Sequence, residues 1–143
     1  RAIIPSIISQ LLFNSGKIKI GNLKPTRDFT YVTDTAEAMY TISKKKGGFG
    51  ETINIGNNTE ISIEELIRII SLELKVKPKI LRDKKRIRPI KSEVMRLKCD
   101  NTKIKKLFNW HSKVHIKQGL RKTINWMKLN NFNFEKKFKM YNI

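Results

Sequence analysis

Apolar residues recur at helical spacing in three stretches of this chain. They are Ile4, Ile7, Ile8, Leu11 and Leu12 in the first stretch, Ile63, Leu66, Ile67, Ile70 and Leu74 in the second, and Ile116, Leu120, Ile124 and Met127 in the third. This spacing predicts three amphipathic helices. Pro5 suits the first turn of the first helix, and Ser62 with Glu65 forms a capping box before the second.

Two more helices and five short strands complete the predicted pattern. The helices run from about Thr33 to Lys46, before Gly47 and Gly48, and from Asp100 to Phe108. The strands are Lys17–Ile20, Arg27–Val32, Glu51–Ile55, Lys79–Leu81 and Val94–Lys98, with a polar, basic loop over Arg82–Ser92. Short strands that alternate with helices indicate an α/β fold, but long apolar strands are too few for a complete doubly wound sheet. We therefore predict one partial domain over residues 1–143, a lobe of an enzyme, in which residues 131–143 form a poorly patterned tail.

Composition narrows the class of protein without deciding it. A net charge of +19 is typical of proteins that bind nucleic acids, but the lysines are scattered, which favours a solvated surface over a nucleic-acid partner. No apolar run approaches the roughly 20 residues that cross a membrane, and the first residues do not resemble a signal peptide. A single cysteine, Cys99, excludes an internal disulfide and favours a reducing, cytoplasmic location.

Five segments, in order, resemble one enzyme family. Arg27–Asp34 reads R-D-F-T-Y-V-T-D and resembles the R-D-F/Y-x-Y-V-x-D segment of the extended short-chain dehydrogenase/reductases that act on nucleotide sugars. The other matching segments are Glu51–Gly56, Arg88–Val94, Asp100–Trp110 and Gly119–Trp126. The R-P-x-x-S-E-V form of the Arg88 segment is most similar to the branch that dehydrates UDP-N-acetylglucosamine-type substrates. The resemblance implies the C-terminal, substrate-binding lobe of this Rossmann-type family.

The resemblance also implies a set of substrate-binding residues. Arginine suits a diphosphate because its planar guanidinium offers paired donors to phosphate oxygens. The implied contacts are Arg27 and Arg88 with the diphosphate, Glu93 with the ribose hydroxyls, the backbone of Ile18, Ile20 and Gly21 with the uracil edge, and Ile3 with the base. Taken without their motifs, Arg27 fits a surface residue at a strand edge better, the charge run around Arg88 is typical of a solvated surface, and Glu93 fits an exposed carboxylate at a strand start equally well.

Two other patterns are weaker. Tyr40 and Lys44 match the Y-x-x-x-K pattern of short-chain dehydrogenases, but such a match arises easily by chance in a lysine-rich chain, and in the family the catalytic pair lies upstream. His111 and His115 are four residues apart but fall in a turn and at a helix start. They have no cysteine or carboxylate at ligand spacing, so we predict no metal site and no catalytic residue in this chain.

The glycine-rich turn that binds the cofactor pyrophosphate in this family is not found after any predicted strand. We therefore interpret the chain as a fragment that lacks the Rossmann half, with NAD bound by the absent half of a homodimeric parent. The implied function is the UDP-sugar-binding portion of an NAD-dependent 4,6-dehydratase, which forms 4-keto-6-deoxy sugars for bacterial surface glycans. The fragment is expected to be inactive alone. A 4-epimerase fragment, a non-catalytic nucleotide-sugar-binding remnant and a small basic nucleic-acid-binding protein remain alternatives.

Overall fold

The structure is a computed structural model that describes residues 2–87, 89 and 92–130. Its helices are α1 (Ile3–Phe13), α2 (Val32–Lys44), α3 (Ile63–Leu74), α4 (Thr102–Phe108) and α5 (Ile116–Leu129). Its strands are β1 (Lys17–Ile20), β2 (Thr26–Arg27), β3 (Ile61–Ser62), β4 (Lys79–Arg82) and β5 (Arg96–Leu97), and Lys84–Arg86 form a 3-10 turn. The chain divides into two compact units: residues up to 25, 62–93 and from 120 onward form unit 1, and residues 26–61 and 94–119 form unit 2.

Unit 1 is built on a two-stranded parallel sheet. β1 pairs with β4 in a register that places Lys17 opposite Lys79 and Ile20 opposite Arg82. Helix α1 contacts both β1 and α3. Apolar residues of α1, β1 and α3 form the buried core of this unit at the predicted spacing, whereas Phe13 and Leu72 are exposed; the buried residues include Ile7, Ile8, Leu11, Ile18, Ile20, Leu66, Ile67 and Ile70. Helix α5 begins in unit 2 and continues in unit 1, where Leu120, Ile124 and Met127 are buried.

Unit 2 is built around β2, which lies between β3 and β5. β2 and β5 are parallel, with Thr26 opposite Arg96 and Arg27 opposite Leu97. The core of this unit is the buried cluster of Ala38 from α2, Ile104 and Phe108 from α4, and Trp110. The strands of this unit are short, and side-chain hydrogen bonds hold their ends together.

The helix predictions are confirmed to within about two residues at most ends. α5 has the predicted limits, and the Ser62 hydroxyl accepts a hydrogen bond from the backbone N–H of Glu65 at 3.0 Å, as the capping box predicts. The strands over residues 27–32 and 94–98 are shorter than predicted. β2 ends at Arg27 because Tyr31 is already the N-cap of α2, and its carbonyl accepts the N–H groups of Asp34 and Thr35.

The prediction of a strand over Glu51–Ile55 is wrong for this structure. Residues 52–55 form no backbone hydrogen bond with another described residue. Ile53 and Ile55 nevertheless pack against the unit 2 core cluster. The alternating pattern therefore reports core packing correctly, but a strand also needs a neighbouring strand as its hydrogen-bonding partner.

Candidate functional site

Arg27, the predicted diphosphate ligand, is held in place by backbone carbonyls. Its Nη1 donates hydrogen bonds to the carbonyl oxygens of Thr26 and Val94, both at 2.7 Å. The strand around it is fixed as well, since the N–H of Thr26 donates to Met95 at 2.8 Å and the N–H of Asp28 donates to Leu97 at 3.0 Å. Because the planar guanidinium is anchored at Nη1, binding an anion would cost little further side-chain entropy.

Glu60 joins β2, the strand that contains Arg27, to β5, and the sequence patterns did not indicate it. Its carboxylate accepts hydrogen bonds from the Thr26 hydroxyl and from Nε and Nη2 of Arg96, the first of the two arginine contacts being 3.0 Å long. The hydrogen bonds from Arg96 and then Thr26 lower the pKa of Glu60 below its usual value. Glu60 therefore bridges β2 and β5 as a carboxylate. Its contact on β2 is Thr26, the residue before Arg27.

The two aspartates of the Arg27–Asp34 segment have structural roles. Asp28 accepts hydrogen bonds from the backbone N–H groups of Asn57 at 3.1 Å and Cys99 at 3.3 Å. Asp34 is 2% exposed and accepts the backbone N–H groups of Lys113 at 3.0 Å and Val114 at 2.9 Å. These carboxylates tie three separate loops to one segment.

Other contacts in unit 2 also join segments that resemble the family. Asn101 donates a 2.8 Å hydrogen bond from its side-chain amide to the carbonyl of Gly56. Tyr31 packs against Gly119, where an added Cβ would lie 3.1 Å from the Tyr31 ring. Burial, and then the carboxylates of Asp28 and Asp100, raise the pKa of the Cys99 thiol, so it stays protonated near neutral pH and is a poor nucleophile.

The residues predicted to meet the base lie in unit 1. Ile18 and Ile20 are buried in β1, and the carbonyl of Ile20 accepts the N–H of Asp83 at 2.9 Å. Gly21 lies directly against the Lys84–Arg86 turn: an added Cβ would lie 2.3 Å from the carbonyl oxygen of Arg86. The structure therefore brings the end of β1 together with the start of the predicted basic loop.

The remaining predicted residues are less closely defined. Ile3 is half-buried in the first turn of α1, and Glu93 is half-buried in unit 1. Arg88 lies outside the described residues, so its pairing with Arg27 stays a prediction. Tyr40 is exposed on α2, and the Lys44 ammonium lies 5.5 Å from its ring centroid, a surface cation–π contact.

The part of the chain that the structure describes contains no group of three or more histidine, cysteine, aspartate or glutamate side chains placed to hold a metal ion. Its glycines do not fit a pyrophosphate cradle, since Gly47, Gly48 and Gly50 follow a helix and Gly21 is covered by the Arg86 carbonyl. None of its helices is long and apolar enough to cross a membrane.

Comparison with known proteins agrees with this fold. Residues 1–123 match the model of the GDP-mannose 4,6 dehydratase family. A putative UDP-glucose 4-epimerase from Methanocaldococcus jannaschii is 35% identical over 129 residues, which cover 90% of this chain and 40% of that protein.

Two solved structures show the same architecture. The epimerase Mth375 from Methanothermobacter thermautotrophicus superposes with a TM-score of 0.84 at 25% identity, over 95% of this chain and 40% of that one. A dTDP-glucose 4,6-dehydratase from Bacillus anthracis, solved in complex with NAD, gives 0.77 at 27% identity, over 91% of this chain and 40% of that one. The chain thus spans about 40% of the length of these relatives and matches their C-terminal part. It belongs to the GDP-mannose 4,6-dehydratase family, within the NAD-dependent epimerase/dehydratases of the extended short-chain dehydrogenase/reductase class.

Proposed function

We propose that this chain is the nucleotide-sugar-binding portion of an NAD-dependent 4,6-dehydratase that converts a UDP-sugar to its 4-keto-6-deoxy derivative. The observation that carries the proposal is the anchored Arg27 guanidinium at the end of β2. A charge-assisted contact from a fixed guanidinium suits the diphosphate of a UDP-sugar. The family match to a dehydratase supports the type of reaction.

The chemistry divides between this chain and the rest of the proposed enzyme. NAD, when bound by the parent enzyme, supplies hydride transfer at the sugar ring. The residues of this chain bind and orient the nucleotide sugar. Arg27 and Arg88 hold the diphosphate, Glu93 accepts hydrogen bonds from the ribose hydroxyls, and the end of β1 meets the base. We also infer a cytoplasmic, homodimeric parent that serves bacterial surface-glycan synthesis, preferentially on a UDP-N-acetylglucosamine-type substrate.

A 4-epimerase is the second candidate. The relative that is 35% identical is itself a putative UDP-glucose 4-epimerase. Both reactions need the same contacts with the nucleotide. The two enzymes therefore differ in the groups that act on the sugar and not in the contacts made by Arg27. Analysis of the product of the complete enzyme by NMR separates them, since only the dehydratase gives a 6-deoxy methyl signal.

Replacing Arg27 with glutamine is expected to weaken binding of UDP-glucose by about 10- to 100-fold, the range for loss of a hydrogen bond to a charged group. Calorimetric titration measures the change. Arg68→Gln is the matched control, because Arg68 is an exposed arginine that pairs with Glu65 on the preceding turn of α3. Arg27→Lys keeps the charge without the planar fork and should give an intermediate affinity. Equal affinities of Arg27→Gln and the control variant would refute the diphosphate role.

The chain by itself is expected to form no 4-keto-6-deoxy sugar and no epimer from NAD and a UDP-sugar. The physical reason is that its described glycines provide no cradle for the cofactor pyrophosphate. The reaction is followed by NMR of the sugar over hours at high protein concentration. Product formation proportional to the amount of purified chain would contradict the proposed division of roles, while UDP-glucose binding without turnover would agree with it.

A further inference from the structure

Lysines that are far apart in the sequence lie together on one face of the unit 1 sheet. Exposure alternates along β1, where Ile18 and Ile20 are buried and Lys17 and Lys19 are exposed. The parallel register places Lys17 opposite Lys79 and Lys19 opposite Leu81. Because side chains alternate between the faces of a strand, these four residues share one face, which we call the lysine face.

The described carboxylate beside the lysine face is Asp83, which lines a neighbouring cleft with Lys19 but pairs with Arg86. Lys17, Lys19 and Lys79 form no ion pair with a described residue. Three carboxylates of unit 1 form ion pairs with arginines and not with these lysines: Glu65 pairs with Arg68, Asp83 with Arg86, and Glu73 with Arg121. Like charges directly opposite each other destabilise a strand pair, so an anion bound at this face would relieve the repulsion between Lys17 and Lys79.

An aromatic side chain lies at the edge of the same face. A shallow cleft there is lined by Phe13, Asn14, Ser15, Lys17, Lys19 and Leu81. Phe13, at the end of α1, is 51% exposed. Exposed aromatic rings beside cationic side chains are the usual elements of single-stranded nucleic-acid sites, because bases stack on the ring while phosphates contact the cations.

We propose that the lysine face and Phe13 form a binding surface for single-stranded nucleic acid. Lys17, Lys19 and Lys79 contact phosphates, and Phe13 stacks on a base. The net charge of +19 attracts the polyanion from a distance, whereas the face fixes where it binds. This surface lies on side chains that the nucleotide-sugar proposal does not use, so either proposal can fail without the other.

The test compares two triple variants of the chain that lose the same charge. Lys17→Gln/Lys19→Gln/Lys79→Gln removes the lysine face, and Lys46→Gln/Lys105→Gln/Lys106→Gln removes three exposed lysines of unit 2. Binding of fluorescein-labelled dT15 is measured by anisotropy between 50 and 200 mM NaCl, and circular dichroism verifies folding. The first variant should bind at least about 10-fold more weakly, with a salt slope lower by about 2, while the second keeps the wild-type slope.

Two further measurements test the aromatic contact and the class of ligand separately. Phe13→Leu keeps an apolar side chain but loses the ring, and should weaken dT15 binding by about 5-fold or more. Equal losses in the two triple variants, or an unchanged affinity of Phe13→Leu, would overturn the proposed surface. Binding of the wild-type chain to phosphatidylserine vesicles without any binding to dT15 would assign the face to lipid headgroups instead and would also overturn it.

Discussion

Replacing Asp34 with alanine is expected to lower the free energy of unfolding by about 2–3 kcal/mol, because hydrogen bonds to a buried charged group are among the stronger ones. The Asp34 carboxylate is buried and accepts the backbone N–H groups of Lys113 and Val114 at 3.0 and 2.9 Å. It also lies in the first turn of α2, where a negative charge interacts favourably with the helix dipole. Alanine removes all of these interactions and leaves two donors without their acceptor.

Urea denaturation of the chain measures this loss, and Glu37→Ala is the matched control. Glu37 lies one turn further along α2 and contacts the side chain of the same Lys113, but that ion pair is exposed. An exposed pair contributes about 0–1 kcal/mol, so the control should unfold close to the wild-type midpoint. Asp34→Asn keeps an acceptor oxygen and should fall between the two. Equal midpoints for Asp34→Ala and Glu37→Ala would show that the carboxylate does not hold the loop.

The helices could be predicted because their signals are local. The apolar spacing of α3 and the capping residue Ser62 are both contained in thirteen consecutive residues. The strands depend on partners that are distant in sequence, and β2 and β5 are separated by almost seventy residues. The Glu51–Ile55 segment shows the limit most clearly. Its alternation predicts the half-buried Ile53 and Ile55, but it does not report that no described residue pairs with this segment as a strand.

The candidate site, like the fold, could be predicted from the sequence only in part. The resemblance located Arg27, but the carbonyl of Val94 that anchors it and the Glu60 carboxylate beside it come from distant parts of the chain. Within unit 2, hydrogen bonds and packing join segments that had been recognised separately, as Asn101 with Gly56 and Tyr31 with Gly119 show. Several residues of the family resemblance therefore have a role in the internal scaffold of unit 2, apart from the ligand contacts that the resemblance predicts.

The lysine face is a second example of information that only the fold supplies. Lys17 and Lys79 are separated by sixty-two positions in the chain and become direct neighbours through the parallel register of β1 and β4. In the sequence, the same lysines are part of a dispersed charge pattern that predicts a solvated surface. Net charge describes long-range attraction, whereas a binding surface depends on which charges share a face.

Replacing Gly21 with alanine is expected to have the largest effect on the predicted base-binding region of unit 1. The new Cβ would lie 2.3 Å from the carbonyl oxygen and 2.7 Å from the carbonyl carbon of Arg86. Those are backbone atoms of a turn that two hydrogen bonds hold. The N–H of Arg86 donates to the carbonyl of Asp83 at 3.0 Å, and the N–H of Ile87 donates to the carbonyl of Lys84 at 3.1 Å. The turn must move as a whole, which costs about 1–3 kcal/mol, the range for overpacking.

On the proposed function, the same clash disturbs the end of β1, which meets the base. Gly21→Ala should therefore weaken UDP-glucose binding by at least about 10-fold, equivalent to about 1.4 kcal/mol. Arg86→Ala is the matched control, because it removes the side chain and its 3.3 Å ion pair with Asp83 but leaves the carbonyl in place. Urea denaturation and calorimetric titration of both variants separate the two effects. Destabilisation with unchanged affinity would place the base elsewhere, whereas wild-type stability would show that the turn yields to the added methyl group without cost.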